Sequence, residues 1–176
     1  MTGDRCVGKS EVTRYLVERH GFVKVHPFDG GKAMCKAYYV YHGFDEETAE
    51  RMVNGDLKDV PMEDLPYNQS SRYFMEELGK YLPTLGLGWT LGSEIERVSR
   101  RFSGACDIVI ESLVYEEEVV RSYENSLIVR LTRKEAKIGT HSSRAVEQIT
   151  PDMLIENNGT LPDLFDRFDE IVRIYR

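Results

Sequence analysis

Apolar residues in this chain follow two kinds of spacing, which alternate along the sequence. Alternating or continuous β-branched runs bounded by turn residues predict strands at residues 21–25, 107–111, 126–131 and 170–175. Apolar residues at helical spacing predict one helix that begins near Lys9 and further helices at residues 32–42, 46–53, 70–82, 94–102, 115–123 and 163–168. Residues 54–66 and 84–92, rich in proline, acid or glycine, are predicted as irregular connections. Strands that alternate with helices favour an α/β fold, a three-layer α/β/α arrangement with a mainly parallel sheet covered on both faces.

The composition is that of one globular domain covering residues 1–176. A net charge of −7 argues against non-specific nucleic-acid binding. Cys6, Cys35 and Cys106 form no CxxC pair, so neither a zinc site nor a disulfide framework is predicted. No apolar run approaches the length of a membrane span, and no signal-peptide pattern opens the chain. We therefore expect a cytoplasmic protein with no nucleic-acid or membrane partner, and the sequence leaves a homodimer open.

The segment ahead of the first helix matches the phosphate-binding pattern G-x-x-x-x-G-K-[ST] in full. It consists of Gly3, Asp4, Arg5, Cys6, Val7, Gly8, Lys9 and Ser10. Its two glycines allow successive backbone N–H groups to converge on the phosphates of ATP. Lys9 can reach the β- and γ-phosphates, and the Ser10 hydroxyl is a suitable ligand for Mg²⁺. The alternative is a chance glycine turn with a solvated Lys9.

The same pattern normally follows a buried strand, and here only Met1 and Thr2 precede Gly3. The sequence therefore predicts no strand before the loop and a start that has been clipped. Because ligands of parallel sheets bind at the carboxyl ends of the strands, the loop, Glu111 and the residues after Leu131 are expected to share one cleft.

A few charged residues outside the loop are candidates for chemistry. Glu111 ends a predicted strand and could order Mg²⁺ through water, or be solvated there. Arg72 opens a helix and could bind a substrate phosphate through two hydrogen bonds, and Arg133 directly follows a strand at the ligand edge. For both arginines, and for Lys137 and Arg144, the alternative is a solvated surface charge. Asp29 could contact a substrate hydroxyl or serve as a turn residue.

Several segments, together with the loop, resemble the phage-type deoxynucleoside monophosphate kinases of the P-loop nucleoside monophosphate kinase group. They are FDGGK at 28–32, QSSRYFMEELG at 69–79, IVIESLVYEEE at 108–118, HSSR at 141–144 and IENNGTLPDL at 155–164. The last of these is also similar to dephospho-coenzyme A kinases. Three positions depart from the family pattern: Ser112 stands where the family has an acid, Val114 where it has arginine, and Arg144 where it has glutamate.

The resemblance implies a P-loop NTPase fold and transfer of the γ-phosphoryl group of ATP to a (deoxy)nucleoside monophosphate. It implies a substrate region at about 28–100, in which Asp29, Lys32 and Arg72 bind the acceptor. It also implies a flap at about 133–145, in which Arg133 contacts the transferring group and Arg144 replaces a lost cation. The alternatives are a dephospho-coenzyme A kinase-like enzyme and a nucleotide-binding protein without turnover, which the departures at Ser112 and Val114 favour.

Overall fold

The computed structural model describes residues 1–86, 88–103, 106–134 and 141–176, the side chains of 141–144 excepted, as an α/β chain. The helices are α1 (Lys9–His20), α2 (Asp29–Tyr41), α3 (Glu46–Asn54), α4 (Ser71–Tyr81), α5 (Ser93–Arg101), α6 (Glu117–Arg121), α7 (His141–Gln148) and α8 (Leu161–Tyr175). The strands are β1 (Val23–Val25), β2 (Ile108–Ile110), β3 (Val129–Thr132) and β4 (Met153–Glu156).

The strands form two parallel pairs. Strand β1 pairs with β2, and β3 pairs with β4. Met1 and Thr2 lie between the two pairs: the Met1 nitrogen donates to the Ile110 oxygen (2.7 Å), and the Thr2 nitrogen donates to the Val129 oxygen (2.9 Å). Among residues 1–8 no strand is assigned, as the sequence predicts, and Thr2 forms an isolated parallel bridge with Arg130. The backbone of Met1 bonds to the β2 side and that of Thr2 bonds to β3, and the chain then continues into Gly3.

The chain divides into two compact units. The first comprises Met1–Pro27 and Leu91–Arg176, and the second comprises Phe28–Thr90. The predicted substrate region, 28–100, begins where the second unit begins and extends ten residues beyond its end.

Two apolar clusters lie in the first unit because side chains alternate along a strand. One cluster joins buried residues of α1 and α8 to Val109, Leu131 and Ile155. The other joins buried residues of α5 and α6 to Val25 and Ile128. Both clusters therefore draw on strands and helices together.

The second unit is helical. Helices α2, α3 and α4 pack around a core that includes Cys35, Tyr39, Met52 and Met75. The buried Tyr39 hydroxyl lies 2.9 Å from the Ser71 hydroxyl, so the polar end of this core tyrosine is hydrogen-bonded.

The helices predicted at 46–53, 70–82 and 94–102 and the strand predicted at 107–111 are confirmed, with ends within one residue. The strand predicted at 170–175 is wrong, because α8 runs unbroken through it. A capping box begins this helix: the Thr160 hydroxyl accepts from the Asp163 nitrogen, and the Asp163 carboxylate accepts from the Thr160 nitrogen. Leu164 and Phe168, one turn apart, bury its inner face.

The irregular connection predicted at 84–92 is also wrong in part. Residues Leu82–Leu85 form a 3₁₀ turn, and Gly88–Gly92 form one turn of π-helix that continues into α5. Strand β4 and helix α7 were not predicted at all. Residues 135–140 of the predicted flap, which include Lys137, lie outside the described residues.

Candidate functional site

The loop between Met1–Thr2 and α1 is shaped by two glycines with positive φ. Gly3 has φ +134°, and a Cβ there would lie 2.3 Å from the Leu131 oxygen. Gly8, which caps α1 in the left-handed region, has φ +103°, and a Cβ there would lie 2.7 Å from the Asn157 side-chain nitrogen. Any larger residue would be both strained and in collision at either position. The local structure therefore requires the glycines of the motif.

Asn157 fixes the far side of this loop. Its side-chain nitrogen donates to the Val7 oxygen at 2.9 Å, and its backbone nitrogen donates to the Thr132 oxygen at 2.8 Å. Asn157 is buried, as is the Val7 side chain. The residue thus joins the loop to the carboxyl end of β3. Sequence reasoning did not place Asn157 in the site, although it belongs to the NNG segment that carries part of the family resemblance.

The Lys9 ammonium folds back onto the loop. It donates to the Gly3 oxygen at 2.7 Å and to the Asp4 oxygen at 2.6 Å. Burial lowers the pKa of Lys9, and the negative charges of Glu111 and Asp4 oppose that shift. The loop's own carbonyls therefore hold a cation at the place where the motif predicts a bound phosphate.

Ser10 and Glu111 meet at the carboxyl end of β2. The Ser10 hydroxyl donates to one Glu111 carboxylate oxygen at 2.5 Å, and the Lys24 ammonium lies 2.5 Å from the other. Burial raises the pKa of Glu111, but the hydrogen bonds from Lys24 and Ser10 outweigh it, so the pKa lies below the ordinary value of 4.5. The carboxylate is therefore ionised near neutral pH, which a metal ligand requires.

The two oxygens of this pair fit Mg²⁺ as it is held in nucleotide sites. Mg²⁺ there takes one or two protein oxygens and draws its remaining ligands from phosphates and water. Within the described ranges, no group of three or more His, Cys, Asp and Glu side chains could hold a metal ion. A metal at Ser10 and Glu111 would therefore draw its remaining ligands from phosphate oxygens or water.

The turn after β2 contains two of the departures from the family pattern. Ser112 has φ +63°, in the left-handed region. The buried Glu116 carboxylate accepts from the Val114 nitrogen (3.2 Å) and the Tyr115 nitrogen (2.9 Å), so an acid of this segment is used to hold the turn. The Leu113 oxygen accepts from the Thr2 hydroxyl at 2.9 Å, which ties the turn to the residue before the loop.

Arg72 lies in the first turn of α4, in the second unit, and is already paired. Its guanidinium donates to both carboxylate oxygens of Asp59, one of them at 2.7 Å. The Ser70 hydroxyl caps this helix by accepting from the Tyr73 nitrogen. A carboxylate and a phosphate accept the same pair of parallel hydrogen bonds, so the position of Arg72 suits an oxyanion.

The other predicted acceptor residues are placed as follows. Asp29 is the first residue of α2, and its carboxylate lies 3.1 Å from the Lys32 ammonium. Arg133 directly follows β3 and is exposed. The Arg144 side chain lies outside the described residues. The structure thus brings together the loop residues and Glu111, whereas Asp29, Lys32 and Arg72 belong to the second unit.

Comparison of the chain with protein-family models finds no match, and comparison with curated proteins finds none either. Among the helices of the described residues, none combines the length and the apolar character needed to cross a membrane.

Proposed function

We propose that this chain is a P-loop nucleotide kinase, which transfers the γ-phosphoryl group of ATP to a (deoxy)nucleoside monophosphate. The observation that carries the proposal is the path of residues 1–10. An extended Met1–Thr2 lies between two parallel pairs of strands, a loop with glycines at both bends follows, and α1 begins at Lys9. That order of strand, loop and helix is the context in which the motif binds phosphate.

The proposed fold is the three-layer P-loop NTPase arrangement. Two parallel pairs of strands support it, β1 with β2 and β3 with β4, together with the position of Met1–Thr2 between them, where Thr2 forms a parallel bridge with Arg130. The two apolar clusters that join strands to α1 and α8, and to α5 and α6, support helices on both faces.

Each residue of the proposed donor site has a separate role. The loop amides and the helix N-terminus bind the phosphates, since both present positive partial charge to an anion. Lys9 exchanges its two loop carbonyls for phosphate oxygens, and Ser10 and Glu111 hold Mg²⁺. ATP supplies the transferable group, and Mg²⁺ offsets the negative charge on its phosphates. Phosphoryl transfer needs positioning and charge stabilisation more than covalent chemistry, so these residues need no nucleophile among them.

The acceptor role falls to the second unit. Arg72 binds the acceptor phosphate in exchange for Asp59, and Asp29 and Lys32 border the same substrate region. Arg133, exposed after β3 at the carboxyl edge of the strands, contacts the transferring group.

Two other functions remain candidates. A nucleotide-binding protein without turnover is favoured by the turn after β2, where Ser112 and Val114 provide neither the acid nor the arginine of the family pattern. A dephospho-coenzyme A kinase-like activity is favoured by the Asn157–Gly159 segment. The three functions differ in the acceptor, if any, that causes ADP release.

The deciding experiment measures ADP release from ATP and Mg²⁺ in the presence of nucleoside monophosphates, their deoxy forms or dephospho-coenzyme A. We expect release that depends on one nucleoside monophosphate. Release with dephospho-coenzyme A alone would transfer the assignment to that enzyme class. ATP binding without release for any acceptor would overturn the kinase proposal in favour of the binding protein.

A further inference from the structure

Arg72 and Asp59 form an ion pair between two elements of the second unit. Arg72 lies in the first turn of α4, and Asp59 is the last residue of a 3₁₀ turn that covers Asp56–Asp59. The Arg72 Nε donates to one carboxylate oxygen and its Nη2 donates to the other, the second at 2.7 Å. One complete edge of the guanidinium is therefore occupied by this carboxylate, in the geometry in which a phosphate is also bound.

The chain holds Asp59 beside the start of α4. Two residues after Asp59, Pro61 forms an antiparallel bridge with Ser70, the residue that caps this helix. The Met62 nitrogen then donates to the Gln69 oxygen at 3.3 Å. A side chain tethered in this way stays near its partner at a high effective concentration, so the Asp59 carboxylate returns to Arg72 whenever no other anion occupies it.

The stability of α4 does not account for an arginine at this position. The dipole of a helix opposes a cation in its first turn, and the first turn of α4 contains no acidic residue that would offset it. The Arg72 side chain is 29% exposed and that of Asp59 is 65% exposed. An ion pair that is this open to water contributes little to stability. The guanidinium is therefore the fixed member of the pair, and the carboxylate is the member that can be displaced.

A second pair in the same unit has the same geometry in a different position. The Arg51 Nε and Nη2 donate to the two carboxylate oxygens of Asp56, at 2.9 and 2.7 Å. Arg51 lies in the last turn of α3, where the helix dipole favours a cation. The position of Arg51 is thus explained by α3 itself, and its pair with Asp56 provides a matched control for the pair at Asp59.

We propose that Asp59 is an internal competitor for phosphate, which occupies Arg72 until a phosphate displaces it and so lowers the affinity of this site for any phosphate ligand. This proposal rests on the acceptor site proposed above at Arg72 and names the residue that regulates it. A phosphomonoester offers the same two oxygens as the carboxylate and carries about −1.5 to −2 charges near neutral pH, against a single negative charge for Asp59. It can therefore displace Asp59, whereas a ligand carboxylate brings no more charge than the side chain already present.

The test titrates inorganic phosphate into the full chain and follows the NMR signals of the backbone amides at the start of α4. We expect Asp59→Asn to raise the phosphate affinity by at least about threefold, because the amide keeps the size of the side chain but lacks the competing charge. The matched control, Asp56→Asn, should bind phosphate as the unaltered chain does. The gain should disappear in the double variant Arg72→Ala/Asp59→Asn, because the competition takes place on the Arg72 guanidinium.

A phosphate affinity that is unchanged or lower in Asp59→Asn would overturn the proposal, because Asp59 would then orient Arg72 or only join the two elements. A gain that persists without Arg72 would overturn it too, since phosphate would then bind elsewhere, and so would the absence of phosphate binding in every variant. The measurement needs neither ATP nor turnover. If Asp59→Asn tightens phosphate binding while no acceptor causes ADP release, the kinase proposal fails and the role of Asp59 stands.

Discussion

The Lys9 ammonium makes two charge-assisted hydrogen bonds to its own loop. A phosphate that takes over this ammonium must replace both bonds, so the net contribution of Lys9 to affinity is a difference between two sets of partners. We expect the exchange to favour the phosphate, because it carries full negative charge whereas the Gly3 and Asp4 carbonyls are dipoles.

Replacing Lys9 by alanine should abolish detectable ATP binding or lower its affinity by at least about tenfold, since the excess of its phosphate bonds over its two carbonyl bonds is lost, roughly 1.5–3 kcal/mol in all. Isothermal titration of ATP with Mg²⁺ measures the effect, and circular dichroism checks that the fold is kept. Lys80→Ala is the control, because Lys80 is an exposed lysine paired with Glu77 on α4. An unchanged affinity in the Lys9 variant would remove Lys9 from the donor site.

At the scale of elements, the loop at residues 3–10 depends on a contact between segments far apart in sequence. Gly8 caps α1, and Asn157 follows β4, 150 residues after Val7, whose oxygen it binds. The absence of a side chain at Gly8 gives the Asn157 amide the room to reach that oxygen. The loop is therefore held by β4 as well as by its own glycines.

Gly8→Ala should destabilise the protein and weaken ATP binding together. The left-handed φ of +103° costs roughly 1–3 kcal/mol for a residue with a side chain, and the added methyl displaces the Asn157 amide. Thermal unfolding and ATP titration measure the two effects. In the control, Gly92→Ala, φ is −58° and nothing lies within 4 Å of the new methyl, so its melting temperature should be unchanged or higher. Equal behaviour of the two variants would contradict this account of the loop.

Helix α8 and strand β4 illustrate which elements local pattern predicts. Over residues 170–175 alone, four of the six residues are apolar, which suits a short strand, whereas over all of α8 the buried Leu164 and Phe168 fit only the helical period. Strand β4 has a single buried residue, Ile155, and its Leu154 is exposed. It therefore shows neither the alternation of a half-buried strand nor the continuous buried run of a central strand. Its existence depends on pairing with β3, which no local window contains.

The residues of the candidate site also fall into two groups, those that the local sequence indicates and those that it does not. The loop at residues 3–10 could be singled out because its residues are consecutive and match one pattern. The proximity of Glu111 to this loop, seen in its contact with Ser10, could be predicted because the end of a parallel strand is a ligand edge. Asn157 and Lys24 could not, because each acts through one contact made only in the folded chain.

At the scale of the whole molecule, the proposed donor residues Lys9, Ser10 and Glu111 belong to one unit and the proposed acceptor residue Arg72 to the other. Donor and acceptor binding can therefore be impaired separately. Each unit has its own apolar core, so a substitution that acts on a ligand in one unit need not alter the packing of the other.

Arg72→Ala should raise the KM for the acceptor by at least about tenfold and leave the KM for ATP nearly unchanged, because the lost guanidinium contacts the acceptor phosphate alone. Steady-state kinetics with each substrate varied in turn measures both values. Arg51→Ala is a close control: Arg51 in the same unit binds both carboxylate oxygens of Asp56, at 2.9 and 2.7 Å, and has no proposed ligand. An equal rise in both KM values would show that Arg72 does not mark the acceptor site.

The division of the chain also determines the order in which its parts become available during synthesis. The second unit is continuous, so all of its core residues have been made once Thr90 is added. The first unit is interrupted: β1 must wait for β2, and the loop at residues 3–10 must wait for Asn157. A growing chain can thus complete the second unit early, while this loop acquires its last support only after Asn157 has been made.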